Sequence, residues 1–158
     1  MEKDYKILVA YDKKLGIGYE MAIPWHIPED MKRFKALTAG QTVIMGSKTF
    51  KSIINRLGKP LPNRKNVVLS RTLKKLDYEN CILCNNISEV LEQFNEAWVI
   101  GGYDIYREFM PYVKEIYATE LDNEYTCDVF FPKINLDEWE IKSIENKDNY
   151  RYIIYSRK

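Results

Sequence analysis

Short apolar runs rich in Val, Ile and Tyr recur along the chain, and stretches with helical spacing lie between most of them. That alternation constrains the fold more than any other feature, because parallel strands need long crossovers and a helix is the usual crossover. The runs place strands at 6–11, 42–45, 66–70, 81–84, 97–100, 115–121, 140–145 and 150–156. Helical spacing covers 29–37, 49–55, 88–94 and 103–110, with Pro28 suited to a first turn and Pro111 to a stop. Only 146–149 separate the last two strands, which predicts an antiparallel hairpin. The expected class is therefore α/β, a mostly parallel, mixed, twisted sheet with flanking helices and a C-terminal antiparallel hairpin. There is no internal repeat and no Gly/Ser linker, and the stretch GKPLPNRKN is too brief to divide the chain, so one domain is expected over residues 1–158.

Composition narrows the function. The chain is 46% hydrophobic and 30% charged, a balance that fits a soluble folded protein better than a disordered or fibrous one. Its 24 Lys and Arg against 23 Asp and Glu leave a formal charge of +1, which supplies no field for nucleic acid or an anionic membrane. No stretch approaches the ~20 apolar residues of a membrane helix, and MEKDYKILVAY is too charged and too short in its apolar run for a signal peptide. The cytoplasm is the expected location. Cys81 and Cys84 form a C-x-x-C inside a strand run rather than at a helix start, and His26 and Cys127 stand in no ligand spacing, so neither a redox pair nor a metal is expected.

Four segments carry groups with chemistry. In GIGYEMAIPWHIPEDMKRFKALT, Asp30 shares a helical face with Ile27, Met31, Phe34 and Leu37. A carboxylate on an apolar face wants a donor-rich, amidine-like ligand or an ion pair, although the same residue would also complement the positive end of its helix. Periodicity alone leaves both readings open. In TVIMGSKTF, Ser47, Lys48 and Thr49 open a helix after Gly46, and in VVLSR, Ser70 and Arg71 follow a strand; both arrangements suit phosphate. In AWVIGGYDIY, Gly101 and Gly102 lie between strand and helix, where backbone can approach a pyrophosphate. The G-x-G-x-x-G and Walker patterns are absent. Three strand ends that each present phosphate-competent groups weigh more than any one of them, because open α/β sheets bind ligands beyond the carboxyl ends of strands.

In ordered blocks the chain resembles dihydrofolate reductase: VAYDKKLGIG, IPWHIPEDMKRFKALT, VIMGSKTF, LPNRKNVVLSR, WVIGGYDIY and TELDNEYTCDVFFP. The resemblance implies NADPH-dependent reduction of 7,8-dihydrofolate to 5,6,7,8-tetrahydrofolate, by hydride transfer to C6 and protonation of N5, in support of one-carbon metabolism. It implies dihydrofolate and antifolate-type inhibitors as partners, with no nucleic acid or membrane, and a monomer. Asp30, Trp25 and Thr119 match catalytic positions, Asp30 as the acid that bonds the pterin and Thr119 as its support. Ile7, Val9, Ala10, Met31, Phe34, Ile53, Leu61, Ile100 and Tyr106 match the substrate wall, and Arg64 matches the arginine that holds the glutamate tail. For NADPH the matching positions are Ala10, Ile17, Gly18, Gly46, Ser47, Lys48, Thr49, Leu69, Ser70, Arg71 and Ile100, followed by Gly101, Gly102, Tyr103, Asp104, Ile105 and Tyr106. A cis peptide between the two glycines is implied, and residues 16–24 match a loop that closes over the nicotinamide.

The chain departs from the family pattern at a few of these places. Ser47 stands where many members have arginine, shifting electrostatic load to Lys48 and Arg71, while Met21 and Cys127 occupy the closing loop and the segment that supports it. Asp128 retains the position that can bond the closed loop. The rival readings are a riboflavin-pathway reductase of the same architecture and a catalytically silent folate or nucleotide binding module.

Overall fold

A computed structural model describes residues 3–18 and 25–158, so residues 19–24 of the expected closing loop, Met21 included, lie outside the described residues. The elements in chain order are β1 (Asp4–Tyr11), β2 (Gly16–Gly18), α1 (Pro28–Thr38), β3 (Thr42–Gly46), α2 (Ser47–Leu57), β4 (Lys65–Leu69), β5 (Cys81–Cys84) and α3 (Ile87–Gln93). They continue as β6 (Glu96–Gly101), α4 (Tyr103–Phe109), β7 (Val113–Leu121), β8 (Val129–Phe130), β9 (Trp139–Asn146) and β10 (Tyr150–Arg157). No helix among the described residues is long and apolar enough to cross a membrane.

Eight strands form one sheet in the order β5-β4-β3-β6-β1-β7-β10-β9. From β5 to β7 every pairing is parallel, and β10 runs antiparallel to both β7 and β9. The C-terminal hairpin is present. After β1 the chain crosses to β3 and builds outward through β4 and β5, then returns to insert β6 between β3 and β1. That reversal brings the carboxyl ends of β3, β6 and β1 side by side, the usual setting for a ligand crevice in an open α/β sheet.

The sheet is covered on both faces, as parallel strands require. One face packs β1 residues Tyr5, Ile7 and Val9 against Val90 of α3 and Ile105, Tyr106 and Phe109 of α4. The other packs Leu8, Met45, Val68 and Trp98 against Phe50 and Ile53 of α2, with Phe34 and Leu37 of α1 at its edge. Local chemistry fixes the helix ends. Asn86 caps α3 by accepting from the Glu89 N–H at 3.0 Å, and Gly58 closes α2 at φ 75°, a conformation that costs glycine little.

β2 and β8 pair outside the main sheet, a ribbon too short to read from the sequence. It is organised by Asp12, only 2% exposed just beyond β1. Asp12 Oδ1 accepts from the N–H groups of Lys14 (2.9 Å) and Gly16 (2.8 Å), and Oδ2 accepts from the N–H of Tyr125 (2.8 Å) and faces Cys127 Sγ at 3.8 Å. Burial pushes the Asp12 carboxyl up, but the three backbone donors outweigh it and hold the group below its ordinary value. The segments fit so closely that a Cβ on Gly16 would stand 2.5 Å from Cys127 Sγ and 2.7 Å from Cys127 Cβ. Gly16→Ala is expected to cost about 1–3 kcal/mol by overpacking, read from the urea midpoint. Cys127→Gly in the same chain is expected to recover much of that loss, and strictly additive losses in the double-mutant cycle would contradict the contact.

Candidate active site

Asp30 lies in the first turn of α1, and its Oδ1 accepts a hydrogen bond from Thr119 Oγ1 at 2.6 Å. Thr119 is 1% exposed on β7, where its register partners are Ala10 of β1 and Tyr152 of β10. Burial pushes the Asp30 carboxyl above its ordinary value; the Thr119 bond and the Arg33 charge pull the other way without cancelling it, and Glu29 adds to the rise. Asp30 is thus held away from solvent with a buried hydroxyl as support, which a solvated carboxylate serving only its helix end does not need.

The neighbouring wall is apolar. Phe34 and Leu37 of α1, Ile53 of α2, Leu61 and Ile100 belong to one cluster with Leu8, while Met31 is 50% exposed. Three expected wall residues need correction. The Ile7 and Val9 side chains point to the opposite face, into the cluster with Tyr106 and Phe109, and strand alternation puts Leu8 and Ala10 on the Asp30 side instead. Tyr106 is likewise committed elsewhere, since it is buried and its hydroxyl donates to the Leu8 carbonyl at 3.0 Å.

Arg64 follows Leu61 in a turn shaped by Asn66, a residue the sequence reading passed over. The Asn66 side chain accepts from the Leu61 N–H (3.3 Å) and donates to the carbonyls of Leu61 (3.0 Å) and Arg64 (3.2 Å). Arg64 Nε donates to Thr38 Oγ1 at 3.1 Å and Nη1 to the Pro62 carbonyl at 2.8 Å, with the guanidinium 5.9 Å from the Phe34 ring centroid. Among the described residues it has no ion-pair partner, so it offers its remaining donors to an anion.

At the neighbouring strand ends, β3 closes at Gly46, where a Cβ would come within 3.1 Å of Ile105 Cγ1. Ser47, Lys48 and Thr49 form the first turn of α2, which holds no acidic residue. β4 ends at Leu69, and the Ser70 hydroxyl accepts from the Leu73 N–H at 3.1 Å. Arg71 is turned outward to Glu108, Nη2 to Oε1 2.8 Å. β6 ends at a cis peptide between Gly101 and Gly102, followed by α4 with Tyr103 and Asp104 exposed and Ile105 buried. Ile17 of β2 packs against the α4-side core, next to Gly18, and the Trp25 ring is 5.3 Å from that of Tyr125. Tyr125 thus ties Trp25 to the segment fastened by Asp12. No group of metal-ligating residues occurs among the described residues.

The parallel strands β3, β4, β6 and β7 all end along one edge of the sheet, so Ser47, Lys48 and Thr49, Ser70, Gly101 and the Asp30–Thr119 pair are set along that same edge. A family model described as dihydrofolate reductase matches residues 4–157. The chain belongs to the dihydrofolate reductase family. It is 37% identical over 142 residues to the dihydrofolate reductase of Staphylococcus aureus, covering 89% of this chain and 86% of that protein. It is 35% identical over 164 residues to that of Haemophilus influenzae, covering 98% and 99%. A solved structure of the Enterococcus faecalis dihydrofolate reductase, complexed with NADP(H) and RAB-propyl, superposes with a TM-score of 0.86 at 27% identity, covering 98% of this chain and 96% of that one.

The raised Asp30 carboxyl has a consequence for stability. Between the unfolded and folded values the folded state binds the extra proton, so stability falls as pH rises through that window and the penalty is complete above it. Asp30→Asn, which keeps an acceptor for Thr119, is expected to melt above the wild type at about pH 8, with the gap closing as pH falls. Calorimetry across that range checks it, and a variant that melts lower at every pH would show that the carboxylate is stabilising.

Proposed function

We propose that residues 1–158 act as one monomeric, cytoplasmic domain that reduces 7,8-dihydrofolate to 5,6,7,8-tetrahydrofolate with NADPH, without nucleic acid. The observation that carries this reading is the Asp30–Thr119 pair set in an apolar slot. Asp30 has acceptor capacity left after its one strong bond, and the amino group and ring N–H of a pterin present the matching donors. A carboxylate facing that edge in a low-dielectric slot draws positive character into the ring system and favours protonation at N5. Phe34, Ile53, Leu61, Ile100 and Met31 exclude water from the ring and benzoyl group, with Leu8 and Ala10 forming the floor. Arg64 takes the tail carboxylate through a fork of donors that Lys cannot reproduce. An antifolate with an amidine-like edge meets the same carboxylate.

The donor set fits NADPH. Lys48, Thr49 and Ser47 open an eleven-residue helix with no competing acid in its first turn, and Gly101 and Gly102 lie beside it, where a Cβ on either would stand 3.6 Å from Thr49 Oγ1. Arg71 is 80% exposed and pairs with Glu108 at the surface, and a contact of that kind is worth about 0–1 kcal/mol, so trading it for a phosphate costs little. When bound, the cofactor supplies the hydride for C6. Trp25, Ala10 and Ile17 flank that side of the slot and keep it dry.

Loss of NADPH absorbance on mixing with dihydrofolate is the direct test. Turnover should need both substrates and run more slowly with NADH. Asp30→Asn should lower kcat/KM by about 10²–10⁴-fold. Binding of both ligands without oxidation would instead favour the silent module. Arg64→Lys should raise KM for dihydrofolate by about 10-fold or more, the size of a lost charge-assisted bond, with kcat nearly unchanged.

A further inference from the structure

Arg33 stands three residues beyond Asp30, so both side chains leave the same face of α1. Its guanidinium carbon lies 4.0 Å from the Tyr152 ring centroid and 5.8 Å from that of Tyr117. Its Nη1 is buried with no hydrogen-bond partner among the described residues. Tyr152 is the register partner of Thr119, and Thr119 holds Asp30. Arg33, the two rings and the threonine therefore form one layer beneath the acid. Stacking on a ring face satisfies a guanidinium sterically and leaves its charge to act on whatever lies alongside.

The charged and titratable groups that face Asp30 are few. Among the described residues they are Arg33 and Glu29 from α1, Tyr152 from β10, and from β7 the Thr119 hydroxyl, with Tyr117 on the same face of β7 against Arg33. Glu29 is turned outward, accepting from the Tyr150 hydroxyl at 2.6 Å and pairing with Lys147 at 3.3 Å. Arg33 is thus the one cation acting on the acid among the described residues.

We propose that Arg33 is a positioning residue for the reduction: clamped on Tyr152 and Tyr117, it holds a positive charge beside Asp30 that keeps the carboxylate ionised and limits how far up the pH scale the bound substrate retains its proton. The inference rests on Asp30 being the pterin-binding acid. A cation beside the carboxylate favours its charged form and opposes a second positive charge on the ring it binds. Arg33 therefore lets the site release its proton at lower pH than burial alone would give.

Single-turnover oxidation of NADPH by dihydrofolate, followed from about pH 6 to 10, reads this directly. The rate falls as the bound substrate loses its proton. In Arg33→Met, which keeps an apolar stem over Tyr152, the midpoint of that fall is expected about one unit higher, with up to tenfold faster hydride transfer on the alkaline side. Arg33→Lys, which keeps the charge, should stay near the wild-type midpoint. Affinity for 2,4-diaminopyrimidine, measured by quenching of tryptophan fluorescence, should persist to higher pH in the Met variant. An unmoved midpoint in Arg33→Met, or equal shifts in Met and Lys, would overturn the proposal and leave Arg33 as packing. If Arg33→Met does not fold, Arg33→Gln takes its place with the same expected shift. A wild-type pH profile in Asp30→Asn would instead strike at the acid itself.

Discussion

Strand β1 hydrogen-bonds to parallel neighbours along both edges, and that double pairing decides where every functional group stands. With β6 paired as far as Ile7 on one side and β7 along its length on the other, its end at Ala10 and Tyr11 lies against Thr119 and Glu120. Parallel strands must be joined by crossovers, so helices cover both faces and the strand ends gather along one edge of the sheet. α1 and α2 pack on the same face, α1 bringing Asp30 to Thr119 of β7 and α2 beginning at the end of β3. Asp12, just past the same strand, accepts three backbone N–H groups and fastens the segment that carries Tyr125 toward Trp25.

Three carboxylates near this edge have different fates because their donors differ. Asp12 is saturated by backbone. Glu120, next to Thr119 but on the other face of β7, accepts from the Tyr11 and Tyr155 hydroxyls and from Arg151 Nε at 2.7 Å; burial alone would raise it, yet these donors hold it below its ordinary value. Among the described residues Asp30 has one strong hydrogen bond, and burial holds its pKa above the ordinary value. The saturated acids hold the molecule together, while Asp30 keeps the spare acceptors that the proposed function asks of it.

Much of this was legible in the chain. The main-sheet strands and the helices fall within two residues of where apolar runs and helical spacing put them, because β-branched runs and three-and-four spacing reflect burial directly. The orientation of β1 was not. ILVAY is apolar on both faces of a doubly covered strand, so alternation could not say that Leu8 rather than Ile7 or Val9 faces α1. Asp30 and Thr119 are 89 positions apart, and only the register of β7 against β1 brings them together. β2 and β8 have three and two residues and draw their shape from Asp12, a long-range constraint with no local signature. Arg33 carries no signature of its own in the sequence, because only the pairing of β10 with β7 sets Tyr152 against it.

The turn from Leu61 to Asn66 has a different kind of consequence. One buried amide serves both polar groups of Leu61 and the carbonyl of Arg64, so the six residues carry their own scaffold. Variation should be tolerated very unevenly there: the Pro62 ring can drift through neutral change, since only its carbonyl is used, whereas Asn66 has no substitute that both accepts and donates in that space. A single position out of contact with any anion thus governs how freely the whole turn can evolve.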